Sequence, residues 1–528
     1  MPSEWTNTCN AARVQEGETL ADILEPGLKL DPDKVAVYFE DRTLTYRELD
    51  EAANRVADGL VKAGVQPGDR VSMHADNRPE FIFIHIGLLR AGALFVPASI
   101  MYTGEEIEYI LNDSGAKALF ILSGFAHKLE NIETHNLEHV IEIGGDTLQN
   151  ATSLDAFMAK ADPIRPAVTI DPDATANIQY TSGTTGRPKG AMISHANVLA
   201  VLHAMSDLPG TPPGEKTDVT LIVIPVFHAF ALNLGLTRPF LAVQSIVLVH
   251  RFDPERIFSL FERYRVTHFL GAPPMYFGFV NTPGLEKHDV SSLRVSFSGG
   301  APLPVVNLEK FRALTGIEIT EGYGLSETAP SISTNMAAPA NKPGSVGHPI
   351  PCVTVRLVDE NDQDVPDGEV GEIVAQGPNI FAGYWNKEEE TAEAMRSGWF
   401  HTGDMGRFDE DGYLYIVDRK KDMIVVSGFN VYPIELENVI LRHPKIVDCA
   451  VIGIPDDYQG ESVKAVLVLA NDESIDLDEF QVYCREHMAA FKIPKQLSIR
   501  DALPKNPTGK TLKRVLREQE GGITKAKT

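Results

Sequence analysis

The 528-residue chain is poor in basic residues, with 48 Lys and Arg against 73 Asp and Glu and a formal net charge of -25. That deficit works against nonspecific binding to nucleic acid or to an anionic membrane, both of which need a basic surface. An anionic substrate must then be met by local cations. Cysteine is scarce too: Cys9, Cys352, Cys449 and Cys484 show neither metal-ligand spacing nor a disulfide framework, and they read as structural thiols. The first residues, MPSEWTNTCNAARVQEGETL, carry acidic groups and no apolar core, so they do not read as a secretory or transit peptide, and a cytoplasmic location is expected. An uninterrupted membrane-spanning run is also missing. The stretch from Leu221 to Val249 exceeds the roughly 20 residues that a span needs, but Pro225, His228, Asn233, Arg238, Pro239 and Gln244 break it. Polar groups are costly in hydrocarbon, so two buried strands flanking a pocket-lining helix are expected there. Peripheral membrane contact and a homodimer stay open.

A chain of this length implies several domains. From about Thr45 to Ser333 short β-branched runs alternate with amphipathic helical patterns, as in TYRELDEAANRVADGLVKAG followed by DRVSMHA. Such alternation predicts parallel sheets covered by helices. TANIQYTSG, DVTLIVIPVFH, THFLGAPP, LRVSFSGGAP and IEITEGYGLSE repeat one design, a strand running into a Gly- or Pro-rich loop. Ligands of open α/β sheets sit beyond the carboxyl ends of strands, which makes these loops candidates to share one crevice. After Gly344, short strands with tight turns predict a compact antiparallel subdomain over about 345–420. A final region, 421–528, has its own βα pattern, and the charged run from Asp418 to Asp422 marks its boundary with an N-terminal domain, 1–420. Disorder is expected after Glu518.

The stretch YTSGTTGRPKG, Tyr180 to Gly190, lies between a hydrophobic run and a helical pattern. It is not a Walker A loop, in which lysine and a hydroxyl directly follow the second glycine. Here Arg187 and Pro188 separate Gly186 from Lys189, and Gly190 stands where the hydroxyl should be. Its backbone N–H groups, its cations and the hydroxyls of Thr181, Ser182, Thr184 and Thr185 still make an anion cradle. Gly183 and Gly186 allow close backbone approach. An isolated GTTG is more often a flexible turn, but further motifs follow in order: FHAF (227–230), SGGAPLP (298–304), EGYGLSETAP (321–330), HTGD (401–404), DRKKD (418–422), VSGFNVYP, FKIP and LPKNPTGKTLKR (503–514).

With these motifs in this order, the chain resembles the adenylate-forming superfamily of acyl-CoA synthetases, peptide-synthetase adenylation domains and firefly luciferase, over about 31–517. The resemblance implies an α/β fold: a large N-terminal domain with two helix-covered, mainly parallel sheets and a small β subdomain, then a small mobile α+β C-terminal domain. It implies that ATP activates a carboxylic acid as acyl-AMP, releasing pyrophosphate, before the acyl group passes to the thiol of CoA. A carboxylate would have to expel oxide, whereas AMP is a good leaving group. The protein's task is to bind polyphosphate, neutralise charge and align the acid, so the lack of a G-x-S-x-G elbow is no objection. A P-loop kinase, releasing ADP, is disfavoured by the failed Walker spacing.

Residue by residue, the resemblance assigns the β- and γ-phosphates to Thr181, Ser182, Gly183, Thr184, Thr185, Gly186 and Lys189. Gly300, Ala301, Glu321 and Gly322 flank adenine, Tyr323 stacks on it, Ser326 reaches the α-phosphate and Glu327 helps hold Mg²⁺. Asp404 accepts from both ribose hydroxyls and Arg419 donates to the same sugar. His228 stands beside the acyl carboxylate, and Phe230, Leu232 and Leu234 are the acyl-pocket candidates, with no cation for a second carboxylate. Lys510 bridges the acyl carboxylate and the α-phosphate. Lys421 is the hinge, and Gly428 and Lys492 line the CoA path after a domain rotation. Similarity is strongest to bacterial fatty-acyl-CoA synthetases, so a medium- to long-chain acid is expected, with each buried CH₂ contributing about 0.8 kcal/mol. Aromatic or short branched acids, and delivery of acyl-AMP to a carrier protein, are the alternatives.

Overall fold

The computed structural model describes the backbone of Glu4–Thr6 and residues 17–181, 187–206, 208, 217–456, 458–471, 473–506 and 509–522. Two large sheets dominate the N-terminal part. One has eight strands in the order Gly383–Tyr384, Lys189–Ser194, Thr175–Thr181, Leu94–Pro97, Arg70–His74, Ala118–Leu122, His139–Ile143 and Thr152–Ser153. From Thr175 onward in that order all neighbours are parallel. The other has nine strands: His348–Pro349, Ser333–Thr334, Ile319–Tyr323, Val295–Ser298, His268–Gly271, Val219–Ile222, Ser245–Leu248, Val35–Phe39 and Arg42–Thr45. Its central strands, from Ile319–Tyr323 to Val35–Phe39, are likewise parallel.

The sequence dictates how the layers meet. Helix Tyr46–Lys62 buries Leu49, Ala53, Val56 and Leu60 along one face, the spacing of an amphipathic helix. Thr45 starts it with a capping box: its Oγ1 accepts from the Glu48 N–H, and the Glu48 carboxylate accepts from the Thr45 N–H at 2.8 Å. Helix Pro79–Arg90 is mostly apolar and buried at every position but Glu80, so it lies inside the core that both sheets share. Of its two charges, Glu80 pairs with Arg42 at 2.9 Å, and Arg90, fully buried, meets Asp50 at 2.7 Å and donates to Asn54 Oδ1 at 2.6 Å. The apolar stretch 221–249 forms strand Val219–Ile222, a π-helical turn Ala231–Thr237 continuing as Arg238–Leu241, and strand Ser245–Leu248, in line with the two strands and helix expected. Among the described residues no helix is long and apolar enough to cross a membrane.

The small antiparallel sheet joins Thr354–Val358, Gly371–Gln376, Phe400–Phe408 and Leu414–Arg419. Two features depart from the expected 345–420 unit. Glu4–Thr6 pairs with Thr354–Val358 and supplies an edge strand from the other end of the chain, and Gly383–Tyr384 leaves the unit to pair with Lys189–Ser194. The C-terminal part has a five-stranded sheet built from Ile424–Val426, Phe429–Val431, Ile446–Asp456, Gly460–Leu469 and Gln496–Ile499. Helices Pro433–Ile440, Leu477–His487 and Lys513–Glu520 accompany it, and its hydrophobic clusters are separate from the N-terminal ones. The expected disorder after Glu518 is corrected as far as Glu520: Leu516 is buried and Glu520 pairs with Lys464 at 2.8 Å, which ties the last helix to the sheet. Cys449 and Cys484 are buried free thiols and Cys352 is disulfide-bonded, while Cys9 lies outside the described residues. The thiol expectation for Cys352 is thus corrected, because pairing follows proximity in the fold, which spacing along the chain does not report.

Candidate active site

Parallel register sets the site. In the nine-stranded sheet Gly271 lies opposite Ser298, and Ser298 opposite Glu321, so the loops after these strands leave one edge side by side. The strand Thr175–Thr181 belongs to the other sheet but reaches the same crevice. Gln179 Nε2 donates to the Phe227 carbonyl at 2.8 Å, and Thr181 Oγ1 lies 3.5 Å from Glu327 Oε1.

The segment after Thr181 does not run into a helix, as its glycines and the following pattern implied. Lys189–Ser194 returns antiparallel beside Thr175–Thr181, with Lys189 opposite Thr181 and Gly190 opposite Tyr180, so the loop closes a β-hairpin; the helix starts only at His195. Ser182, Gly183, Thr184, Thr185 and Gly186 lie outside the described residues. Anchors fix the hairpin. Tyr109 Oη donates to the Pro188 carbonyl at 2.9 Å, Tyr180 Oη to Asp113 at 2.7 Å, and the Trp385 N–H to the Gly190 carbonyl at 2.8 Å.

Glu327 is the middle residue of a short turn, Ser326–Thr328, that Ser326 opens. Its carboxylate is buried and accepts from Tyr384 Oη at 2.9 Å, while the Tyr384 ring lies 5.1 Å from the Lys189 ammonium. Burial raises the Glu327 carboxyl pKa, and among the described residues no ion pair reaches it. Both hydroxyls that approach it fall on Oε1. A buried carboxylate without a contacting cation fits a Mg²⁺ that takes one or two carboxylates and completes its shell with phosphate and water.

Tyr323 closes the strand Ile319–Tyr323, and its Oη donates to Asp404 Oδ2 at 2.7 Å. Asp404 and Arg419 lie opposite each other in the small antiparallel sheet, with Arg419 Nε 3.4 Å from Asp404 Oδ1. Burial disfavours the Arg419 charge, but Asp404 and Asp422 outweigh it and raise its pKa. Glu321 turns elsewhere: its carboxylate accepts from the Leu303 N–H at 3.4 Å and the Gly344 N–H at 3.3 Å, and burial pushes its pKa up to about 7. This side chain therefore ties down the turn that holds Gly300 and Ala301. Gly322 faces the Phe297 ring, and a Cβ at Gly324 would lie 1.8 Å from the Pro330 carbonyl oxygen, a close approach that requires glycine.

His228 precedes the π-helical turn, its N–H bonded to the Pro225 carbonyl at 3.0 Å. Burial pushes its pKa down to about 4. Phe230 packs over Gly299, with its ring 5.8 Å from that of Phe297. Leu232 and Leu234 are packed into the main core, 1% and 5% exposed.

Lys510 arrives from the C-terminal part. Burial and then Arg419 push its ammonium down to about 8, against the pull of Asp404 and Asp422, so these groups share one electrostatic neighbourhood. The residue before it docks on the N-terminal part: a Cβ at Gly509 would fall 2.1 Å from Pro274 Cγ. Lys421 lies in the turn closed by the Asp422 N–H and the Arg419 carbonyl, and burial lowers its pKa. Its neighbour Lys420 is held by Glu372 at 3.0 Å, a carboxylate also bound by Arg396 at 3.1 Å and by the Gly403 N–H at 3.3 Å. Gly428 and Lys492 are not brought to this cluster by any contact in the structure. Gly428 has open space around it, and Lys492 pairs with Glu435 at 2.5 Å within its own unit.

Tyr384, Gln179, Glu372 and Pro274 were not singled out from the sequence. Tyr384 and Glu372 sit within recognisable strand and turn segments, FAGYWN and EVGEIVAQ, but their partners come from distant elements.

Comparison with known proteins gives the family. The model for AMP-binding enzymes matches residues 25–385, and that for the AMP-binding enzyme C-terminal domain matches 435–510. A long-chain-fatty-acid–CoA ligase of Escherichia coli O6:H1 is 36% identical, covering 99% of this chain and 97% of its own. A feruloyl-CoA synthase of an Amycolatopsis species is 38% identical, covering 93% and 97%. Among solved structures, the anthranilate CoA ligase AuaEII in complex with anthranoyl-AMP aligns with a TM-score of 0.90 and 28% identity, covering 96% of this chain and 98% of its own. With both family domains matched along its length, the chain belongs to the AMP-binding enzyme family and is an adenylate-forming acid–thiol ligase.

Proposed function

We propose that this ligase joins a medium- to long-chain fatty acid to CoA through an acyl-adenylate, with Lys510 as the catalytic cation of the first step. The observation that carries the reading is that Gly509, next to Lys510 in the C-terminal part, packs on Pro274 at the crevice edge, where Asp404 and Arg419 pair beside Tyr323. In the first half-reaction a carboxylate oxygen attacks the α-phosphorus of ATP, the bond to the bridging oxygen breaks and pyrophosphate leaves. Two anions have to be brought together, and the Lys510 ammonium between them offsets their repulsion. Asp404 and Arg419 hold the ribose, Tyr323 stacks on adenine between Gly322 and the Gly300–Ala301 turn, and Ser326 contacts the α-phosphate. Thr181, Lys189 and the loop between them hold the phosphates that depart. Neutral His228 donates a hydrogen bond to the acid.

Glu327 would hold Mg²⁺, oriented by Tyr384, and the bound ion would offset phosphate charge. In the second half-reaction the CoA thiol adds to the acyl carbonyl and AMP leaves. For this step the C-terminal domain, with its boundary after residue 420, turns about Lys421 so that Gly428 and Lys492 face CoA.

Leu232 and Leu234 are taken up by the core, so the apolar Phe230 and the likeness to fatty-acyl ligases support a fatty acid. A second reading, an aromatic acid, draws on the Phe230–Phe297 pair, which offers a planar substrate an aromatic wall, and on the feruloyl-CoA synthase relative. CoA-dependent AMP release is to be measured with straight-chain acids of increasing length, benzoate and a cinnamate. Rising activity with chain length is expected; strong aromatic turnover with flat, low activity on straight chains would overturn the fatty-acid reading.

A further inference from the structure

We propose that Gly509 and Pro274 form the seat on which Lys510 enters the crevice, and that this seat serves the adenylation half-reaction alone. The inference rests on the role given to Lys510 above and adds two positioning residues to it. The tip that carries Lys510 is a tight hairpin. Lys505 and Thr511 bridge, the Asn506 N–H donates to the Lys510 carbonyl at 2.9 Å, the Gly509 N–H to the Asn506 carbonyl at 2.8 Å, and the Lys510 N–H to Asn506 Oδ1 at 2.8 Å. Lys510 is therefore fixed relative to Gly509, which adopts a left-handed φ of +79°.

Pro274 is the second residue of helix Pro273–Asn281, which starts where the strand His268–Gly271 ends at the crevice edge. That helix does not yield. Tyr276 Oη donates to the Phe297 carbonyl at 2.9 Å, and Phe279 is fully buried. A Cβ built on Gly509 would lie 2.1 Å from Pro274 Cγ, 3.0 Å from Cδ and 3.1 Å from Cβ. Carbon atoms settle near 3.5–4.0 Å, so even a methyl group lifts the hairpin by about 1 Å or more. A displacement of that size costs on the order of 10²-fold when it misplaces a reacting group.

The seat is tied to one arrangement of the two parts. The candidates for the CoA path are engaged elsewhere: Gly428 has open space around it, and Lys492 pairs with Glu435 within the C-terminal unit. The domain turn proposed to bring them to the crevice takes Gly509 off Pro274.

The test uses the full chain, wild type and with Gly509→Ala, Pro274→Ala, both together, and Lys510→Ala, and the acid that the panel identifies. Acid-dependent ATP–pyrophosphate exchange reads adenylation; thioester formation from supplied acyl-AMP and CoA reads the second step and reports on folding. Gly509→Ala is expected to lower exchange by about 10²-fold and to retain most thioester formation. Backbone strain at a left-handed alanine is untouched by Pro274→Ala, but the clash with the ring atoms is relieved. The double variant is therefore expected to regain about tenfold of the lost exchange, a coupling that independent sites would not show. Equal loss of both half-reactions in Gly509→Ala, or no recovery in the double variant, overturns the seat. Exchange that survives Lys510→Ala overturns the role of Lys510 itself, and the seat falls with it.

Discussion

At the scale of the residue, the ammonium of Lys510 is the group whose environment has the sharpest functional consequence. Burial and Arg419 bring it down to about 8, and it must be charged to bridge two anions. The value for the free enzyme governs kcat/KM, so acid-dependent exchange at low ATP should fall as pH rises through about 8. Bound polyphosphate raises the pKa and moves the same fall in kcat to higher pH. Lys510→Arg, which stays charged, should be slower but lose the alkaline fall; a limb unchanged in that variant would assign it to another group. Lys510, Asp404, Arg419 and Glu327 could be singled out because each sits in a short motif that carries the family resemblance. Tyr384 was not, since its importance lies in donating to Glu327, 57 positions away in the chain. Glu321 was legible as part of its motif but not as a side chain turned to the Leu303 and Gly344 amides.

At the scale of the element, the turn proposed as the hinge is tied to a charge cluster on a strand of the small sheet. Glu372, in Gly371–Gln376, gathers Lys420, Arg396 and the Gly403 N–H, and thereby joins the turn that holds Lys421 to the strand carrying Asp404. Burial would raise its pKa, but His401 and Lys420 outweigh it and bring it down to about 2 from 4.5. A depressed carboxyl pKa contributes stability that is present in full above the unfolded value and is lost as pH falls through the folded one. Glu372→Gln should therefore lower the melting temperature at neutral pH, with the gap to wild type narrowing between about pH 4.5 and 2. A constant gap in calorimetry across that window would mean that packing, not charge, explains the loss. Strands followed by Gly- or Pro-rich loops were readable from alternating patterns and punctuation. The hairpin after Thr181 was not, because its return strand, KGAMIS, is as compatible with the start of a helix until pairing with Thr175–Thr181 decides.

At the scale of the whole molecule, the chain keeps its cores apart. The main cluster ends with Leu414 and its packed neighbours, whereas the C-terminal clusters begin at Ile424. A chain ended after Lys420 should unfold cooperatively and bind ATP, yet lose exchange as Lys510→Ala does; aggregation without a thermal transition would show that the two parts fold only together. The sheet order could be read from sequence only as a class, since which strands lie side by side depends on contacts between remote segments.

The pairing of Glu4–Thr6 with Thr354–Val358 shows this most plainly. Three residues at the start of the chain cover the edge of a sheet formed by residues made more than three hundred positions later. An uncovered edge invites pairing with other molecules. Purification tags and trimmed starts that disturb those residues would then show themselves in solubility on storage, before any change in turnover.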